Sequence, residues 1–298
     1  MALLLHPTLK ALATNCAEWM AHAKSKGEPE RSQQELEAYL AISSVLPPRV
    51  GHSLWDIAHY YAMSTCDAWF REDAEAAGRF LNWTVAFRSL RFRLDGTFSA
   101  MNPARGNWPA EYRDSLRAAG PSMLSWWEIA KVGAQRYLEM AEKDQKINKL
   151  PQSRRIAHNT HDVFLITLFC HGFGLSSSYH LITPVVPAYQ SVLDAWRSED
   201  RETFSRAMST AANFHIARSK DSTGSVFYEF DDYFDRLFPA ELLTVQALRV
   251  RDGLPAFETS HALIDAPWAL IQSQPITEPH PLAVAIEDRL KKDYPLFL

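Results

Sequence analysis

Glycine is scarce in this chain, 11 of 298 residues, and the turn dipeptides that close β-hairpins are nearly absent. A sheet protein of this length needs many tight reversals, most of them favouring Gly, Asn or Asp at positive φ, so few places exist where a strand could turn back. Apolar residues instead recur three and four apart almost throughout, the spacing that gathers them on one face of an α-helix. The chain is therefore predicted to be all-α: an irregular array of paired antiparallel helices, solenoid-like or bundled, ending in a proline-rich C-terminal wrap.

The local signals place the helices. Leu9, Leu12, Cys16, Trp19 and Met20 share one face of a first helix, with Pro7 suited to its first turn and Gly27 to its end. Ser32-Gln33-Gln34-Glu35 reads as a capping box opening a second helix that runs to Pro47-Pro48, and Ser53-Leu54-Trp55-Asp56 reads as a weaker box opening a third. Further helices are expected at about 73–94, 121–144, 154–171, 186–197, 200–219, 226–237 and 239–252. Gly96, Pro103, Gly106 and Pro109 mark Asp95–Pro109 as a long loop, and Pro255, Pro267, Pro275, Pro279 and Pro281 after Gly253 predict short helices and extended chain lying back over the body. The whole is read as one α-helical domain, 1–298, with a possible division into an N-terminal helical subdomain at 1–94 and a main body at 110–298.

A formal net charge of −4 disfavours nucleic-acid binding as the main task, because phosphate contacts demand clustered Lys and Arg. The longest apolar run, Val163–Cys170, is far short of the roughly 20 residues of a membrane helix, and the opening MALLLHPTLK has no basic start before its apolar run. Cys16, Cys66 and Cys170 form no CxxC pair, so neither a zinc knuckle nor a disulfide framework is indicated. The expected location is the cytoplasm, with no membrane and no direct nucleic-acid partner.

Catalytic patterns are thin. His158 and His161, three apart, with Asp162 beside them, could share a cation and define an all-α metal-dependent enzyme, but the glutamate of HExxH is missing and nothing brings His171 or His180 into range. Gly172-Phe173-Gly174 before Ser176-Ser177-Ser178 has no P-loop lysine and reads as a helix terminator followed by a new cap. No GxSxG elbow occurs, and Cys66 lies on an apolar stripe where burial would make it inert. No catalytic residue, cofactor or metal ligand is assigned.

The sharpest pattern is Tyr228-Glu229-Phe230-Asp231-Asp232-Tyr233-Phe234-Asp235, four aromatics interleaved with four carboxylates. On a helix this sets an aromatic stripe beside an acidic one, the mix expected where a basic partner docks. The alternative is that the rings pack inward while the acids face solvent. Arg88, Arg91, Arg93 and Arg105 gather elsewhere, to pair with carboxylates or solvate a helix face.

From Phe238-Pro239-Ala240-Glu241-Leu242-Leu243 through Gln246-Ala247-Leu248-Arg249 to Asp252-Gly253-Leu254-Pro255, the chain resembles the C-terminal part of an all-α family of bacterial polymorphic-toxin immunity proteins, the one numbered forty-nine. Tyr189–Trp196, Asp200-Arg201-Glu202-Thr203-Phe204 and His215 are similar to that family's helix, acidic turn and helix. The likeness spans roughly residues 120 to 265 and leaves out the N-terminal third. It implies a non-catalytic protein that neutralises a cognate toxin, a nuclease such as a DNase with a basic surface being the expected class, delivered by type VI or other contact-dependent secretion. Candidate docking residues are then Glu229, Asp231, Asp232, Tyr233 and Asp235, with Glu199, Asp200 and Glu202 second; an adaptor unrelated to toxins would look much the same.

Overall fold

A computed structural model describes residues 9–42, 50–106, 110–147, 161–223, 226–274 and 279–298, and among these the regular structure is entirely helical. The helices are α1 (Leu12–Ser25), α2 (Glu28–Ala41), α3 (Val50–Phe70), α4 (Ala74–Met101), α5 (Asp114–Met123), α6 (Trp127–Ile147), α7 (His161–Phe173), α8 (Pro187–Ala195), α9 (Arg201–Ala217), α10 (Tyr233–Leu237), α11 (Ala240–Arg251), α12 (Ala262–Ser273) and α13 (Pro281–Asp293). The expected all-α class holds.

Several helix starts differ from their local signals. Helix α2 begins at Glu28, behind Gly27 in the left-handed region (φ 60°) and with Pro29 in its first turn, not at the Ser32 box. Ser32 is buried inside the helix, and Glu35 accepts a hydrogen bond from Ser53 Oγ at 2.6 Å. That bond also removes Ser53 from capping, because α3 has already begun at Val50. Both boxes are thus used between helices. Helix α4 runs through Asp95 to Met101, so among the described residues of the expected loop only 102–106 are non-helical, and 107–109 lie outside the described residues; Gly96 sits where the Arg136 stem crosses α4, and its missing Cβ would lie 3.5 Å from that side chain. The single helix expected at 121–144 is broken instead at Ser125, whose φ of 60° separates α5 from α6. Pro7, Pro47 and Pro48 lie outside the described residues.

Terminators read from glycine hold well. Gly174 (φ 63°) follows the end of α7 and Gly253 (φ 72°) the end of α11, the left-handed position that glycine takes without a Cβ penalty. The serines after Gly174 do not cap a new helix, however. Ser177 Oγ and the Ser178 amide both donate to Glu142 at 2.7 and 2.8 Å, tying an extended stretch to α6 until Pro187 starts α8.

Two apolar cores organise the body. The larger draws on α1 and on α3–α12, with members on both sides of residues 94–110, from Leu9 to Leu270. At its centre lies α11, buried along all of Ala240–Arg249, including the polar Glu241, Thr244, Gln246 and Arg249. Arg249 meets no carboxylate; its guanidinium donates to the carbonyls of Trp196, Ser198 and Pro255 at 2.6–2.9 Å and lies over the Phe204 ring. The smaller core joins α2, α3 and α4 to Leu282, Ile286, Leu290, Tyr294 and Phe297 of the C-terminal segment, which is the expected wrap. Three residues link α3 to α4, which forces an antiparallel pair, and the two pack along their lengths.

Candidate functional site

The acidic and aromatic stretch at 228–235 is not a helical docking face. Residues 226–232 are non-helical, and α10 is a short helix of five residues. Phe230 and Phe234 enter the larger core. The carboxylates do not face solvent as a group, because arginines from three other places meet three of them. Asp235 is buried in a two-pronged pair with Arg88 at 2.7 and 2.8 Å, and Glu229 is buried against Arg218. Asp231 accepts from Arg113 at 2.5 Å, and Asp232 caps α10 by accepting from the Phe234 amide at 2.9 Å. Arg236 donates to the backbone carbonyls of Phe230 and Asp231, holding the same segment from behind. An unpaired carboxylate would not survive desolvation here, so the loop enters the core only with its counter-charges. The expected surface availability of Glu229 and Asp235 is corrected accordingly.

Asp231, Asp232 and Tyr233 remain partly exposed, and they line one end of a larger concavity. Two cavities of about 360 and 300 Å³ share Trp19 and His59 as a common wall. The first is lined also by Asn15, Met63, Arg113 and the 231–233 segment; the second by Glu28, Arg31, Glu35, Asp56 and Tyr60. In this wall the Trp19 ring meets His59 edge-on at 4.9 Å, and Trp55 stacks on His59 at 6.5 Å. Asn15 Nδ2 donates to the Tyr233 hydroxyl at 3.2 Å, closing α1 onto the start of α10.

Five carboxylates therefore line this groove against two guanidiniums, those of Arg31 and Arg113, and Arg113 is already engaged by Asp231 and the Tyr112 hydroxyl. Crowding is felt at Asp56, whose carboxyl is raised by partial burial and by the neighbouring Glu35, with His52 and His59 opposing. Asp231 is raised by burial despite Arg113. For Asp232, burial is outweighed by Arg88 and His59, and its carboxyl lies below the usual range. Such a surface favours an added cation, and the half-buried faces of Trp19, Tyr60 and Tyr233 suit the stem and charge of Lys or Arg.

The other candidates lie apart. His161 is fully buried, its ring against Phe230 and its Nε2 within 3.2 Å of the Tyr112 carbonyl, and burial lowers its pKa. Asp162 is equally buried, His171 and His180 are exposed, and His158 lies outside the described residues. Among the described residues no three His, Cys, Asp or Glu side chains gather as a metal would need. Cys66 is fully buried, as its apolar stripe predicts, and desolvation raises its thiol well above its ordinary value. Arg91 and Arg93 pair with Asp95 and Glu287, as Arg88 does with Asp235, while Arg105 is exposed. Glu199, Asp200 and Glu202 are exposed around the start of α9, where Asp200 accepts from the Thr203 amide at 2.9 Å as the N-cap. They are not among the residues that line the groove.

Periodicity alone assigned Trp19 to the apolar stripe of α1 and Asp56 to a cap. A second face was nonetheless present in the sequence, since Trp55, Asp56, His59 and Tyr60 recur at helical spacing opposite Leu54, Ile57, Ala58 and Tyr61. No family model, curated protein or solved structure matches the chain. No helix among the described residues is long and apolar enough to cross a membrane.

Proposed function

We propose that this protein is an immunity protein that binds a cognate bacterial toxin, a nuclease with a basic surface, and neutralises it in the cytoplasm through a non-catalytic complex. The observation that carries this reading is the groove, where five carboxylates and an aromatic wall of Trp19, Tyr60 and Tyr233 meet. A nuclease presents Lys and Arg to hold phosphates, and those same side chains fit a concave acidic surface with exposed ring faces. The family resemblance at roughly 120 to 265 supports the same class from different residues. The groove lies mainly on α1–α3, outside that span, so on this reading the N-terminal third takes part in partner capture.

The test is co-expression with the product of the adjacent gene, followed by co-purification and survival of the host. A toxin that kills alone and is harmless in a stable complex with this chain is the expected result. Asp56→Asn, Asp231→Asn and Asp232→Asn combined should slow association about tenfold or more at low salt and flatten its salt dependence. Unchanged association at low salt, in a variant that is folded by circular dichroism, would reject the groove as the docking surface.

A further inference from the structure

A separate cavity, of about 300 Å³, lies between α4, the start of α6 and α13, and shares no lining residue with the groove. Most of its wall is apolar: Trp83, Ala86 and Leu90 from α4, Trp126 and Ile129, and Ala283 of the C-terminal wrap. That volume is at the lower end of small-molecule sites, which pair an apolar lining with a few placed polar groups.

The polar groups here are few and incompletely used. Asn82 is 8% exposed, and its Nδ2 donates to the Gly78 carbonyl at 2.8 Å, but among the described residues its Oδ1 has no partner. Nε1 of Trp83 and Nε of Arg93 are likewise buried without an acceptor among the described residues. The charge of Arg93 needs nothing more, since Glu287 meets it at 3.0–3.1 Å. An ionic ligand would disturb that pair; an uncharged one would not. Buried orphan donors and acceptors beside an apolar cavity are otherwise costly, and the Asn82 acceptor and the Trp83 donor, neighbours in sequence on α4, are the complement of a group that both donates and accepts; Arg93 lies about three helical turns farther along α4.

We propose that this cavity is a binding site for a small, uncharged organic molecule with an apolar or aromatic body and a hydrogen-bonding head that donates and accepts together, as a primary carboxamide does. The body lies between Trp83 and Trp126, and the head turns toward Asn82. Because α13 forms one wall, occupancy holds the C-terminal wrap against α4.

The probe is 4-fluorobenzamide, followed by fluorine NMR and by quenching of tryptophan fluorescence on the full chain. Saturable binding with a Kd on the order of 1 mM is expected for a fragment of this size, with weaker binding of fluorobenzene, which lacks the head. Val284 lines the mouth and is 45% exposed, so Val284→Trp can block entry while leaving the fold intact. It should weaken binding at least about tenfold, and Asn82→Leu should erase the preference for the amide over fluorobenzene. No saturable binding by the wild-type chain, or equal binding by a folded Val284→Trp chain, would overturn the proposal. Neither result bears on toxin capture, which uses the separate groove.

Discussion

Asp235 distinguishes a carboxylate that meets a partner from one that holds the fold. Its side chain is 5% exposed and that of Arg88 10%, and the two share parallel hydrogen bonds of 2.7 and 2.8 Å. Asp235→Ala leaves a guanidinium inside the larger core with no direct counter-charge. Breaking a buried pair from one side typically costs about 3–5 kcal/mol, far more than the net worth of the intact pair. Two features place this case toward the lower figure: Asp232 also stabilises the Arg88 charge, and the Phe234 ring lies 4.9 Å beneath the guanidinium. For a chain of this size 1 kcal/mol shifts Tm by roughly 2–4 °C, so about 3 kcal/mol predicts a fall of about 6–12 °C. Differential scanning calorimetry reads that shift, and Arg88→Met combined with Asp235→Leu should recover most of it, because no unpaired charge is left behind. A Tm within about 2 °C of the parent for Asp235→Ala, accompanied by slower toxin association, would refute the buried reading and return Asp235 to the surface role that its sequence context implies.

Other perturbations test separate parts of the structure. Burial keeps His161 neutral in the fold, so below about pH 6.5 the unfolded chain gains a proton that the folded chain does not. Glu241 works in the same direction at lower pH: burial opposes its charge, but His215 at 2.7 Å outweighs this and lowers its carboxyl pKa, so its contribution is lost as acid protonates it. Urea midpoints should therefore fall from pH 7 to 5 and further below about 4.5, with His161→Gln flattening the first part. Asp95 has the opposite sign, since burial raises it to about 7 despite Arg91. Asp95→Asn should be more stable relative to the parent at pH 8 than at pH 5 in the same assay. A Cβ at Gly172 would come 2.8 Å from Leu248 Cδ1 in the packed α7–α11 contact, so Gly172→Ala should cost about 1–3 kcal/mol by denaturant titration, partly recovered by Leu248→Val. Arg249→Lys cannot reach three carbonyls with one ammonium and should lose about 2–3 kcal/mol, measured by thermal melting.

The sequence by itself determined the helical class, the apolar faces and the left-handed stops at Gly174 and Gly253, because each depends on spacing or φ within a few residues. It also marked Cys66 as core and the prolines after Gly253 as a returning segment, since both follow from local pattern. Capping was less secure: a Ser followed three residues later by an acid describes Ser32 and Ser53 equally well as helix starts, and only packing of α2 on α3 turned Glu35 and Ser53 toward each other. Charge was least legible. Glu229, Asp231 and Asp235 look solvated until Arg218, Arg113 and Arg88 arrive from α9, the start of α5 and α4. The groove depends on the same long-range assembly, bringing Asn15 and Trp19 of α1 to His59 of α3 and to residues 231–233. Helix formation is settled by neighbours along the chain, whereas the state of a charge depends on which distant groups exclude water from it, and that is decided only when the helices close on one another.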